Sequence, residues 1–171
     1  MKFRLGTLAL LVVGLGYYFW PTPLEKQLGK QFETFANAAA LDKPLTAIEA
    51  RFKAKELVAI LDDSVWLHYQ SSDEDFTRTF TKKEALDGAS AALIQLDYLK
   101  TAFSKLKLLR YSRNEAGVSI FLIAEWKQHG DTAVSQAAED LKLNLEHQGG
   151  AWIITRIETL PRATLDLSKQ N

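Results

Sequence analysis

Acid–base chemistry needs a side chain that titrates near neutrality, or a carboxylate that burial can push there. This chain holds three histidines, His68, His129 and His147, and no cysteine. Asp62 and Asp63 stand together in the stretch LVAILDDSVWLHY, which also contains His68. Together with Tyr98, the residues Asp63 and His68 are the candidate catalytic groups. Each also has a plainer local reading. Paired aspartates between a helix and a strand cap or turn the chain through local hydrogen bonds. His68 alternates with Trp66 and Gln70 on one strand face, and Val65, Leu67 and Tyr69 take the other. Apolarity assigns the second face to the interior, which turns His68 outward or toward a partner. His129 falls in a turn and His147 at a strand end. Three scattered histidines without carboxylates at ligand spacing make a poor metal site, so no metal is expected. No phosphate-binding glycine loop, Gly-x-Ser-x-Gly elbow or His-Glu-x-x-His pattern occurs, and no cofactor is expected. Trp66, Trp126 and Trp152 are candidates for the wall of an apolar ligand pocket, or for ordinary core and sheet packing.

Charge narrows the partners. Lys plus Arg and Asp plus Glu are both 21, so the chain has no electrostatic footprint for nucleic acid. The absence of cysteine excludes a disulfide framework, thiolate zinc sites and a thiol nucleophile. With 171 residues and 47% hydrophobic content, the composition suits one domain with an extension.

That extension is the N-terminus. Lys2 and Arg4 precede Leu5–Trp20, a run without charge, and Pro21 and Pro23 close it. A helix from Phe3 to Trp20 would rise roughly 27 Å, near the hydrocarbon thickness of a bilayer. Tyr17, Tyr18, Phe19 and Trp20 gather where amphipathic rings favour the interface. No small-x-small cleavage pattern follows the run closely, which favours a retained anchor over a removed signal peptide. The expected division is an anchor over residues 1–23, a domain over 24–161 and a tail over 162–171. The basic flank predicts a cytoplasmic N-terminus and a domain on the far side of an inner membrane.

Within the domain, Leu24, Leu28, Phe32, Phe35 and Ala39 recur at helical spacing over Leu24–Leu41. A second helix is expected over Leu45–Leu61, with Leu45, Ile48, Phe52, Leu57, Ile60 and Leu61 on its apolar side. Val65–Gln70 and Phe76–Phe80 read as a strand pair. Thr81-Lys82-Lys83-Glu84 is a capping box that starts a third helix, expected to run to about Phe103. From Lys105 to Pro161 four strands are expected, with turns at Gly117, Gly130 and the pair Gly149-Gly150. Leu141, Leu143 and Leu145 alternate with Lys142, Asn144 and Glu146, so that strand has one wet face. Glu125 and Arg156 are expected to pair across strands.

The order helix, helix, strand, strand, helix, four strands predicts an α+β fold, a strongly curved mostly antiparallel six-stranded sheet covered by three helices. Here the chain resembles the nuclear transport factor 2-like superfamily, which includes the SnoaL-like and ketosteroid-isomerase-like proteins. The likeness rests on Leu57–Tyr69 (LVAILDDSVWLHY), the capped helix at Thr81–Leu96, and Gly149–Ile157 (GGAWIITRI). Leu41 stands before Asp42 where many members have glycine. The resemblance implies a cone with an internal pocket and an open sheet face that serves dimerisation or partner binding. Enzymes of the superfamily use a buried aspartate, alone or with histidine and tyrosine.

Two functions are therefore expected in competition. One is a membrane-anchored binding domain that takes a small apolar ligand, or a second copy or protein partner on the sheet face, without catalysis. The layout also resembles that of inner-membrane components of type IV secretion systems. The other is an isomerase- or dehydratase-type enzyme, which requires Asp63, His68 and Tyr98 to converge on the cone.

Overall fold

A computed structural model of the chain describes residues 23–71 and 74–160. The expected anchor over residues 1–23 and the tail after Leu160 lie outside them, save for Pro23. No helix among the described residues is long and apolar enough to cross a membrane.

The elements are α1 (Pro23–Ala39), α2 (Ala47–Leu57) with a 3-10 turn at Val58–Ile60, β1 (Leu61–Gln70), β2 (Asp75–Thr81) and α3 (Lys82–Ile94). Four strands follow: β3 (Leu96–Tyr111), β4 (Glu115–Gln128), β5 (Ser135–Gln148) and β6 (Ala151–Leu160). The sheet runs β2-β1-β6-β5-β4-β3. Only β1 with β6 is parallel; every other neighbouring pair is antiparallel. The chain leaves β2 at one edge, passes through α3 and enters β3 at the opposite edge. That crossing places α3 over the open side of the cone.

The concave face is set by strand alternation. Val118 and Ile120 of β4, Leu143 and Leu145 of β5, and Trp152 and Ile154 of β6 point one way and are buried. Against them lies the apolar stripe of α1, with Leu28 and Phe32 almost wholly buried. Burying one such side chain contributes about 1.5–3 kcal/mol, so this seam dominates the local energetics. Two polar contacts fix the register of helix on sheet. Gln31 Nε2 donates to the Trp152 carbonyl at 2.6 Å, and Glu25 Oε1 accepts from the Leu108 N–H of edge strand β3 at 3.2 Å.

The third helix ends at Ile94 instead of near Phe103, and β3 begins at Leu96. The reason is a slip of register. Leu96 opposes Gln128 and Leu99 opposes Trp126, so one extra residue puts two leucines three apart on the same sheet face. A helical spacing thus arises from a bulged strand. A second slip between Ser104 and Lys107, with Lys105 at φ 53°, bends β3 around α1.

Three more expectations need correction. Gly117 is not in a turn but inside β4, and the reversal is made by Ser112–Glu115, where Glu115 N–H donates to Ser112 Oγ at 3.1 Å. Ile48 and Phe52 do not face the core: they are 71% and 68% exposed. The small residues Ala50 and Ala54 pack α2 against Leu93 of α3 instead, because alanines let the two helices approach closely. Asp62 and Asp63 do not end the second helix; both lie in β1. Gly130, Gly149 and Gly150 do take the positive φ expected of turn glycines.

Both α2 and α3 begin with capping boxes. Glu84 N–H donates to Thr81 Oγ1 at 3.2 Å, and Thr81 N–H donates back to Glu84 Oε2 at 2.7 Å. Thr46 and Glu49 repeat the arrangement. Donation from the Thr81 backbone holds the Glu84 carboxyl below its usual range. A carboxyl lowered on folding stabilises the fold above its unfolded pKa and loses that contribution as pH falls through the folded one. Thr81→Ala should therefore lower stability by about 1 kcal/mol at neutral pH. The deficit relative to the parent should shrink on acidification, which urea melts at neutral and acidic pH would show.

Candidate functional site

Where three short helices cannot fill a deeply curved sheet, a cavity remains. Its volume is about 610 Å³. From α1 come Phe32 and Phe35, and from the end of α2 and its 3-10 turn Leu57, Val58 and Ile60. The sheet floor supplies Leu67, Leu143 and Ile157 among others, and Ala85 and Ala89 of α3 form the lid. The side chains that bound the space are hydrocarbon apart from Arg78 and Glu84. These two pair with each other at the rim, with Arg78 Nη2 3.2 Å from Glu84 Oε1, and both are more than half exposed. Phe76 and Phe80 alternate with threonines on β2 and complete the mouth. Phe76 is 43% exposed and packs against Tyr69 at a ring distance of 5.4 Å. A smaller cavity of about 400 Å³ lies behind Phe32 and Phe103, which line both spaces, and Thr101 borders it.

The candidate catalytic residues do not meet there. Asp63 is exposed on β1, and neither it nor Asp62 lines the cavity. Val65 is buried and Leu67 lines the cavity, so the alternate residue His68 lies on the outer face. His68 Nε2 sits 3.0 Å from Asp75 Oδ1 and its ring stands 5.8 Å from that of Trp66. Tyr98 opposes Lys127 on β3, far along the sheet. His129 pairs with Asp97 beside the end of α3. Among the described residues, no group of three histidine or carboxylate side chains is placed to hold a metal ion.

The tryptophans also part company. Trp152 is buried between α1 and the sheet, flanked by the rings of His147 and Tyr111. Trp66 lies outside, under the guanidinium of Arg156 at 3.7 Å. Trp126 is partly buried opposite Leu99. None of the three lines either cavity. Arg156 does not pair with Glu125, because β5 separates their strands; its Nε lies 2.6 Å from Glu158 Oε1. The aromatic lining that does exist is phenylalanine. Phe76 and Phe80 were within reach of the sequence, since the alternation FTRTF places both on one face.

Comparison with known proteins places this arrangement. No family model matches the chain, and no curated protein matches it in sequence. Solved structures do match in shape. One is a nuclear transport factor 2-like superfamily protein from Salmonella enterica serovar Typhimurium, at TM-score 0.58 and 6% identity, covering 86% of this chain and 96% of that one. A second is a hexachlorocyclohexane dehydrochlorinase, at TM-score 0.53 and 12% identity, covering 81% and 88%. A third is a candidate scytalone dehydratase from Novosphingobium aromaticivorans, at TM-score 0.54 and 13% identity, covering 66% and 74%. The chain thus has the nuclear transport factor 2-like fold, an α+β cone of three helices on a six-stranded mixed sheet.

The rim pair is exposed and solvent-screened, so it should matter little to stability. Arg78→Met should change the unfolding free energy by less than about 1 kcal/mol. A larger loss in a denaturant melt would mean that the pair closes the cavity mouth structurally.

Proposed function

We propose that this chain is a membrane-tethered binding domain whose cone takes up a small apolar molecule without turning it over. The observation that carries the reading is the cavity of about 610 Å³ whose lining is hydrocarbon except for one rim ion pair. Such a space binds by removing apolar surface from water, about 25 cal/mol for each Å² buried. It lacks the convergent polar groups with which a pocket orients a substrate for reaction. The tether is residues 3–20, read from the uncharged run behind Lys2 and Arg4, with the domain outside the cytoplasm. The outer sheet face is left free for a second copy or a protein partner.

Three measurements test this. An apolar fluorophore such as anilinonaphthalene sulfonate should bind the full chain saturably, and Ala85→Phe should abolish the signal with little change in thermal stability. Unchanged binding by that variant would place the dye elsewhere and overturn the assignment of the cavity. Turnover of any dehydration or isomerisation substrate that Asp63→Asn, His68→Gln or Tyr98→Phe removes would establish the enzyme instead. The tether is tested by fractionation: the full chain should resist alkaline extraction from membranes, and a chain lacking residues 1–22 should be released.

A further inference from the structure

The convex face carries a polar recess separate from the cavity. Strand register sets residues in a row across five strands: Arg110 on β3 opposes Gly117 on β4, which opposes Asn144 on β5, then Arg156 on β6, then Trp66 on β1. The adjacent row holds Lys107, Ser119, Lys142, Glu158 and His68. Between the rows lies a recess of about 300 Å³, bounded by Arg110, Gly117, Lys142, Asn144, Arg156 and Glu158.

Three cations therefore face one carboxylate. Glu158 is the most buried of the charged pair partners, its side chain 17% exposed, and it takes both neighbours: Arg156 Nε at 2.6 Å on one oxygen and Lys142 Nζ at 3.5 Å on the other. The Arg156 contact brings charges together without the alignment of a hydrogen bond. Its guanidinium carbon lies over the Trp66 ring, 3.7 Å from the ring centroid, a cation–π contact. Arg110 has no carboxylate within ion-pair distance among the described residues, so among the residues that bound the recess cations outnumber carboxylates by two.

Gly117 explains how Arg110 reaches in. A Cβ at residue 117 would stand 2.8 Å from Arg110 Cγ and 3.1 Å from its Nε, so the arginine lies across the strand where a side chain is missing. The glycine has ordinary backbone geometry and makes no turn. Its role is to leave room for that arginine. The exposed Glu115 and Glu146 oppose each other in the next row and bound the patch on that side.

We propose that this recess binds a phosphate group. The excess of two cations over carboxylates in the lining matches the charge of a phosphomonoester, about −1.5 to −2 at neutral pH. The planar forks of two arginines, a lysine and the Asn144 amide supply donors from several directions, as a tetrahedral oxyanion requires. A free phosphate or soluble monoester and a phospholipid headgroup present the same chemistry, and the test separates them.

Calorimetry on the full chain should show saturable binding of inorganic phosphate, with acetate binding more weakly. Arg110→Met and Arg156→Met should each weaken it by about tenfold or more, the usual effect of losing a charge-assisted hydrogen bond. Gly117→Ala keeps every charge and should also weaken it by displacing Arg110, with an unchanged melting temperature reporting an intact fold. Water-soluble dihexanoyl phosphatidic acid, with the phosphatidylcholine as control, forms the second arm. Tighter, Arg110-dependent binding of phosphatidic acid than of phosphate identifies a headgroup; equal affinity identifies the free group. Saturable binding of neither probe, or binding that Arg110→Met leaves unchanged, overturns the site.

Discussion

A curved sheet encloses more volume than one helix can fill, and the rest of this structure depends on that mismatch. α1 packs Leu24, Leu28 and Phe32 onto β3, β4, β5 and β6, and only Phe32 and Phe35 reach the space that remains. The half of the cone under β1 and β2 is left to α2 and α3, which approach each other through Ala50 and Ala54. Helices joined by alanines stand close together but project little into the space below. The cavity is the consequence. Its hydrocarbon lining follows too, since a strand face that must be dry at one end of the sheet stays apolar along its length.

The bends that make the cone come from β3. Each slip of register adds one residue to one strand, tightens the local twist and lets a long edge strand wrap instead of running straight. An edge strand exposes unpaired backbone groups, and Glu25 covers one of them at Leu108. The strand thus supplies the curvature, and the helix it bends around covers its edge at Leu108.

What was legible in the sequence were the features encoded locally. The stripe Leu24, Leu28, Phe32, the box Thr81–Glu84 and the turn glycines 130, 149 and 150 each carry their signal within a few residues. The second box at Thr46–Glu49 was equally readable, although Pro44 draws attention to itself first. The errors came where a remote partner decides. Leu96 and Leu99 mimic a helix because a bulge against β4 turns them to one side. Ile48 and Phe52 look like core until α3 selects the alanine face. Gly117 looks like a turn until Arg110, on the neighbouring strand, is seen to need the gap. The cavity was visible only as an implication of the fold, because no run of sequence marks the space between helices. Arg156 shows the same limit: its contact with Trp66 depends on the parallel pairing of β1 with β6, which local sequence does not reveal.

The cavity and the outer recess lie back to back on the same strands. Leu143 faces inward between Lys142 and Asn144, and Ile157 faces inward between Arg156 and Glu158. Proximity alone does not couple them. Coupling needs an element with two arrangements that each ligand favours differently, and equal affinity for both shifts nothing. The central strands β5 and β6 are each paired to a neighbour on both sides, which argues for one arrangement. At the register shift between Asn144 and Leu145, opposite the extra residue Thr155, the backbone departs from a regular ladder. There the Thr155 hydroxyl donates to the Asn144 carbonyl at 3.3 Å and holds the bulge closed. A strand pinned in that way transmits position, not motion. The two faces therefore share a scaffold but differ in chemistry, one presenting an apolar hollow and the other a recess lined mainly by cations.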